Sequence, residues 1–162
     1  MLRKSFAVMA LVLLSACSGD PEPREPAPSP SASPTATPPD MPDLANEESD
    51  EGAAAFVAHY VDVFNFAATT GDVTRLRELS SGCQACEGYA DDFESIYAAG
   101  DYIKDDLWQL KDTAVSTNEA AIETNAIVEA PADSGRRDYE FIFELPTSPP
   151  YKVRRILLLE DQ

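Results

Sequence analysis

Nine of the 13 prolines in this 162-residue chain lie between Pro21 and Pro42, and this clustering limits how much of the chain can fold. Residues 18–50 contain no aromatic side chain and carry eight acidic residues against one basic residue. Such a segment buries too little apolar surface to offset the entropy of ordering, and its repeated prolines favour polyproline II conformations. We therefore predict a disordered linker over residues 17–50 and one folded domain over residues 51–162.

The first seventeen residues predict an export signal followed by a lipid anchor. Two basic residues precede the apolar run Phe6 to Leu14, which is far shorter than the roughly 20 residues that span a bilayer. The run ends in Leu14-Ser15-Ala16-Cys17, which resembles the bacterial lipobox. This resemblance implies that residues 1–16 are a signal peptide and that acyl chains such as palmitate on Cys17 hold the protein at the extracytoplasmic face of the cell membrane. The alternative is an ordinary signal peptide in which Cys17 is incidental.

The net charge of −17 restricts the partners that the protein can have. Residues 51–162 carry nine basic and 21 acidic residues, and therefore a charge of −12. A surface of this sign repels phosphate backbones, because nucleic-acid binding depends on clustered Lys and Arg. We expect no nucleic-acid partner, and the sequence identifies no small-molecule ligand.

Apolar residues at helical spacing predict three helices at the start of the domain. In the first helix, Phe56, Tyr60 and Phe64 share one apolar stripe. Asp50 is the predicted N-cap, and Gly71 is predicted to close the C-terminal end of the helix. The three predicted helices span residues 51–69, 74–79 and 87–99.

After residue 100 the apolar period changes from 3.6 to 2, which predicts strands. The predicted strands span residues 107–115, 122–128, 139–145 and 151–159. A short link between the last two predicts an antiparallel hairpin, in which Glu140 and Glu144 face Lys152, Arg154 and Arg155. Helices followed by strands predict an α+β domain, with three N-terminal helices packed on a curved four-stranded antiparallel sheet.

This order of elements resembles the NTF2-like, or cystatin-like, cone. The segments Glu51–Val57, Phe64–Ala67, Thr70–Asp72 and Cys83–Cys86 also resemble a family of actinobacterial lipoproteins of unknown function. The first resemblance implies a curved sheet wrapped on the long first helix. The cone does not imply one activity, because such cones serve as enzymes, binding modules and dimerisation domains. The lipoprotein family implies none either, because its function is unknown.

Cys83 and Cys86 form the most specific motif of the domain. With Cys17 acylated they are the two remaining cysteines, and thiols outside the membrane tend to oxidise. We predict a structural disulfide that pins the turn before the third helix. A redox pair at a helix N-terminus and a zinc half-site are the alternatives, but the first lacks a βαβ setting and the second lacks further ligands.

Several side chains could line a cavity between the helices and the sheet, although aromatic side chains in a domain of this size also commonly form the core. The candidates for this pocket are His59, Tyr60, Phe64, Phe93, Tyr97 and Trp108. His59 is the only histidine, and Asp62 three residues later could assist it as a general base. No nucleophile, second base or cofactor motif accompanies the pair, so we assign no catalytic, cofactor-binding or metal-ligating residue and expect no cofactor.

These observations favour a non-catalytic binding or interaction module at the cell envelope. The expected partners are the membrane, through Cys17, and either another envelope protein or a second copy of the chain. Two alternatives stay open: a small isomerase or dehydratase that uses His59 and Asp62, and a structural dimer that pairs through an open sheet face.

The lipid anchor can be tested by metabolic labelling with a fatty-acid precursor. We expect the wild-type chain to incorporate label and the Cys17→Ala variant to lose it, because the Cys17 sulfur is the predicted attachment atom. Equal labelling of the two proteins would contradict the prediction.

Overall fold

The computed structural model describes residues 36–105, 107–133 and 135–159. The predicted signal peptide, Cys17 and residues 17–35 of the predicted linker lie outside this part of the chain. The predicted α+β class, with three helices and a four-stranded antiparallel sheet, is confirmed. In chain order the elements are a 3-10 helix (Asp43–Asn46), α1 (Asp50–Thr70), α2 (Thr74–Glu78), α3 (Gln84–Ala98), β1 (Gln109–Thr117), β2 (Ile122–Ala132), β3 (Gly135–Leu145) and β4 (Arg155–Leu159).

Helix α1 begins and ends at capping residues. The hydroxyl oxygen of Ser49 accepts a hydrogen bond from the backbone N–H of Gly52 at 3.0 Å, so Ser49 is the N-cap and the prediction of Asp50 was wrong by one residue. Asp50 and Glu51 instead lie in the first turn, where their charge complements the positive end of the helix. At the other end Gly71 adopts a left-handed conformation with φ 74°, as predicted.

Ordered contacts begin before the predicted domain boundary at residue 51. The 3-10 helix packs against α1, and Ala45 is buried in this contact. The Tyr151 hydroxyl donates a hydrogen bond to the carbonyl oxygen of Glu47 at 3.1 Å. Gly52 lies directly beneath this segment, where a Cβ atom would overlap the Glu47 carbonyl oxygen. The end of the predicted linker is therefore part of the folded domain.

The strands form one antiparallel sheet in the order β1-β2-β3-β4. The longest pairing joins β2 and β3, from Ile122 opposite Leu145 to Ala132 opposite Gly135. One face packs against the helices and buries alternate residues of the strands. The buried residues of this face include Ile122, Thr124, Ala126 and Val128 of β2, Phe141, Phe143 and Leu145 of β3, and Ile156 of β4.

Strand β4 is shorter than the predicted strand over residues 151–159. Val153 leaves the sheet register and forms an isolated parallel bridge with Ser80, in the loop between α2 and α3. Of the predicted cross-strand ion pairs, Arg155 with Glu144 is present. Glu140 lies opposite Leu159, so the prediction that it faces a basic residue of the hairpin was wrong.

Trp108 connects α1 to the start of the sheet. Its indole ring stacks between Phe64 and Phe141, with ring centroids 4.1 and 4.7 Å away. The side-chain amide of Asn65 holds the backbone of the same residue: Asn65 Nδ2 donates to the Trp108 carbonyl at 2.8 Å, and the Trp108 N–H donates to Asn65 Oδ1 at 2.9 Å. These contacts fix the separation between α1 and β1.

The same substitution at two helical glycines is expected to have opposite effects. Gly52→Ala places a methyl group against the Glu47 carbonyl and should lower the free energy of unfolding by about 1–3 kcal/mol. Gly88→Ala, in α3, meets no atom within 4 Å and should raise it by about 0.5–1 kcal/mol through the greater helix propensity of alanine. Urea unfolding of both variants measures the difference, and a stabilised Gly52→Ala variant would contradict the proposed packing.

Candidate functional site

Cys83 and Cys86 lie at the start of α3, which begins three residues earlier than predicted. Their sulfur atoms are 1.98 Å apart, the distance of a disulfide, and both residues are buried. Cys83 is the N-cap residue, and its sulfur accepts a hydrogen bond from the Cys86 N–H at 3.2 Å. The pair therefore closes the first turn of α3, and not a turn that precedes the helix as predicted.

Arg77 joins α2 to α3 on the solvent side of this turn. Its guanidinium contacts carboxylate oxygens of Glu87, Asp91 and Glu94 at 2.7–3.1 Å. Hydrogen bonds from Arg77 lower the pKa of Glu94, and the same bonds raise the pKa of Arg77. Because these groups are solvent-exposed, we assign the cluster to surface charge pairing.

The structure brings together three of the six predicted pocket residues. Phe93 and Trp108 both contact Phe64, at ring-centroid distances of 5.1 and 4.1 Å, and all three are buried. Tyr89, which the sequence analysis did not select, completes the cluster at 5.1 Å from Phe64. These rings pack against one another in the layer between α1, α3 and the sheet.

The two tyrosines among those candidates contact other groups. The Tyr60 ring packs edge-on to Phe143 at 5.9 Å, and its hydroxyl lies 3.5 Å from the Ser80 hydroxyl. Burial is the main reason why the pKa of Tyr60 is raised. The Tyr97 hydroxyl donates to the Ala68 carbonyl at 3.1 Å, and its ring covers Gly71. The Tyr60 hydroxyl therefore connects α1 to the loop after α2, and the Tyr97 hydroxyl connects α3 to α1.

His59 is buried on α1, with 3% of its surface exposed, and its Nε2 atom has no hydrogen-bond partner among the described residues. Burial and the charge of Arg75 lower the pKa of this imidazole, while Asp62 and Asp40 act in the opposite direction. Asp62 itself is exposed to solvent. The predicted pair therefore consists of a buried imidazole and a solvent-exposed carboxyl group.

The face of the sheet turned away from the helices, here called the open face, exposes apolar side chains. Ile127, Leu157 and Leu159 are 39%, 41% and 41% exposed, and Ile142 is half-buried among them. Strand pairing places Ile127, Glu140 and Leu159 in one cross-strand row. The open face consists of Gln109, Asp112, Ala114 and Ser116 of β1, Glu123, Asn125, Ile127 and Glu129 of β2, Glu140, Ile142 and Glu144 of β3, and Arg155, Leu157 and Leu159 of β4.

Carboxylates frame the apolar centre of the open face. Glu129 pairs with Lys111 at 2.8 Å and with Arg136 at 2.6 Å, and both contacts lower its pKa. Glu123 and Glu140 make no ion pair with a described residue. The face thus combines exposed apolar side chains with carboxylates, of which Glu140 stands between Ile127 and Leu159.

A cleft of about 480 Å³ lies where β3 continues beyond the end of β4. Its apolar wall comes from Ile127, Tyr139, Leu158 and Leu159, and its polar rim includes Glu140. None of these side chains is among the site residues predicted from the sequence. One signal was present: in residues 156–159 every position is apolar, so a strand buried on one face must expose some of them.

A second cleft, of about 460 Å³, lies between the N-terminal segment and the loop that follows β3. Phe56 and Tyr151 form part of its wall, and Arg75, Glu78 and Lys152 contribute charged groups. In the described part of the chain, no three or more His, Cys, Asp or Glu residues are grouped to hold a metal ion. Nor does any helix of that part combine the length and apolar character needed to cross a membrane.

The fold and the open face define an α+β domain with one sheet face covered by helices and the other exposed. The model of the "Family of unknown function (DUF6318)" matches residues 25–144, and the chain belongs to this family. The prediction that the chain belongs to a family of unknown function is confirmed. That the family is actinobacterial and that the chain is a lipoprotein stay predictions. The match ends within β3, before β4.

No curated protein matches the chain. Among solved structures, the NMR structure of a de novo designed β-sheet protein is similar to it at 11% identity, with a TM-score of 0.41. The similarity covers 68% of this chain and 87% of the designed protein.

Burial of His59 predicts a specific pH dependence of stability. The folded state disfavours the imidazolium, so the unfolded chain binds a proton more readily below the ordinary pKa of 6.5. The free energy of unfolding should therefore fall as the pH drops from about 7.5 to about 5, by at most about 1.4 kcal/mol per pH unit.

Urea unfolding of wild type and His59→Gln over this pH range measures the effect. The variant cannot titrate at this position, so its stability should decrease less steeply, whatever its stability at neutral pH. Parallel profiles for the two proteins would show that the folded chain does not depress the pKa of His59.

Proposed function

We propose that this protein is a lipid-anchored extracytoplasmic lipoprotein whose α+β domain is a non-catalytic interaction module. The observation that carries the proposal is the open face, where Ile127, Leu157 and Leu159 are exposed around half-buried Ile142. Contiguous apolar side chains with a polar rim are typical of protein interaction sites. The proposed partner is therefore a protein that covers this face.

The charges of the open face narrow the chemistry of that partner. Glu123 and Glu140 lie beside the apolar centre and have no ion pair among the described residues. A partner with apolar side chains and a basic rim would complement them, whereas nucleic acid and anionic lipid would be repelled. Helices pack against the other face of the sheet, which leaves the open face as the available one.

The membrane anchor rests on the sequence Leu14-Ser15-Ala16-Cys17 and on the basic and apolar segment before it. In this proposal the Pro-rich segment acts as a spacer between the acylated Cys17 and the domain. The domain itself is then free to meet a partner at a distance from the lipid surface, while membrane attachment confines it to the envelope.

We further propose that the domain is a variant of the NTF2-like cone. The long helix α1 packs against β1 and β2 of an antiparallel sheet, and all three α-helices precede the strands in the chain. This arrangement supports the proposal, and comparison of an experimental structure with known cones would test it.

A small isomerase or dehydratase is the second candidate function, and one observation favours it. His59 Nε2 has no partner among the described residues, and a neutral imidazole can accept a proton. The pair with Asp62 would have to become accessible to a substrate first, because His59 is buried. A turnover that His59→Gln abolishes without loss of the folded state would favour this candidate over the interaction module.

Photo-crosslinking in cells that express the protein naturally tests the proposed role. A photoreactive amino acid at Ile127 should yield adducts with a partner protein. The same group at Asp92, exposed on α3, is the matched control and should yield fewer. Equal adducts from both positions, or none from either, would contradict the interaction role, and recovery of the chain in the soluble fraction would contradict the anchor independently.

A further inference from the structure

The carboxylates of the open face differ in whether the described part of the chain neutralises them. Glu129 pairs with two basic side chains, and Glu144 pairs with one. On β3, Glu140 lies between Glu144 and the residue opposite Glu129. It makes no ion pair with a described residue. The face therefore has internal counter-charges on either side of Glu140 and none at Glu140 itself.

The neighbours of Glu140 on this face are mainly apolar. Strand pairing places Ile127 on one side of it and Leu159 on the other, and Ile142 follows two residues along β3 on the same face. A partner that covers these apolar side chains would also remove the Glu140 carboxylate from water. A covered carboxylate without a counter-charge is costly, whereas its attraction to a cation grows when water is excluded. The partner must therefore bring a basic group to this position.

The cleft of about 480 Å³ beside β3 gives such a group access to Glu140. Its volume lies in the range of cavities that hold small ligands, so it has room for one long side chain. On the open face it is lined by Ile127, Asp138, Glu140 and Leu159. Arg137 also lines it, but this residue pairs with buried Ala130 and so points to the other face of the sheet. The open-face side thus combines two carboxylates with apolar walls.

We propose that the partner protein inserts an arginine side chain into this cleft, with its guanidinium group on Glu140 and its aliphatic stem between Ile127 and Leu159. The inference rests on the interaction role proposed above and names the residue that the partner supplies. Arginine suits the site better than lysine, because its planar group donates two parallel hydrogen bonds to one carboxylate while its stem covers apolar surface. Arginine is also enriched in protein interfaces, from which lysine is depleted.

The chain itself offers few basic residues for this position. Nine of its 12 Lys and Arg residues lie in the described part, and none of the nine pairs with Glu140. The other three are Arg3 and Lys4, in the predicted signal peptide, and Arg24. A second copy carries the same net charge of −17, so an unrelated protein of opposite charge is the better complement to this face.

Photo-crosslinking of the full chain in its native cells tests the inserted arginine. A photoreactive amino acid at Ile127, in the wall of the cleft, is combined with Glu140→Gln, which removes the charge and keeps the size of the side chain. We expect this substitution to lower the yield of partner adducts about fivefold. Glu123→Gln is the matched control, because Glu123 lies on the same face, makes no ion pair with a described residue and does not line the cleft. It should lower the yield less than about twofold.

Three further measurements separate the charge at position 140 from the fold and the shape of the cleft. Glu140→Asp keeps a carboxylate and should retain more of the adduct yield than Glu140→Gln. Added salt, in isolated membranes, should lower the yield of the chain with Glu140 more than that of the Gln variant, because salt screens the ion pair. Equal urea midpoints of Glu140→Gln and Glu123→Gln would show that the two variants are equally folded. Mass spectrometry of the adduct should locate an arginine in the partner segment attached to position 127.

Four results would overturn the inserted arginine. The first is an adduct yield that Glu140→Gln leaves unchanged, and the second is an equal loss in Glu123→Gln, which would indicate a general attraction to a negative surface. The third is a partner segment without arginine, and the fourth is a crosslink from position 127 to this chain itself or to a second copy. In all four the adducts from Ile127 are still formed, so the position is in contact with a protein. Absence of any adduct would instead overturn the interaction role and the inserted arginine together.

Discussion

The two hydrogen bonds between the side chain of Asn65 and the backbone of Trp108 set the relation between helices and sheet. A side-chain amide donates and accepts at once, so it satisfies both backbone groups of a residue that precedes β1 and has no strand partner. The position of the Trp108 ring between Phe64 and Phe141 follows from this anchorage. The helical layer covers the face of the sheet that carries Phe141 and leaves the other face to solvent.

The elements with a strong local pattern could be predicted from the sequence. Helix α1 differs from its prediction by one residue at each end, because apolar spacing and Gly71 define it locally. The N-cap was misplaced since Ser49 and Asp50 are both good capping residues, and only the backbone geometry distinguishes them. The start of β4 was misplaced because Val153 bonds to the loop at Ser80, a contact between distant parts of the chain.

The candidate site was harder to predict because it depends on which surfaces the fold covers. The sequence indicated Phe64 and Trp108 only as candidates for a pocket or a core, and their contact with each other is set by the tertiary structure. Local alternation also does not show that β4 is an edge strand or that α1 covers only one face. Leu157 and Leu159 therefore looked like ordinary strand residues until the order of the strands was known.

The contact of the 3-10 helix with α1 and Tyr151 has a mechanical consequence. The chain enters the domain through this segment, so tension transmitted from its N-terminal side arrives first at Met41 and Ala45, and then at the hydrogen bond between Tyr151 and Glu47. Loss of these contacts would lengthen the chain that precedes α1 before α1 or the sheet carried any load. If the chain is anchored as proposed, the segment would thus yield first under tension, before the aromatic core.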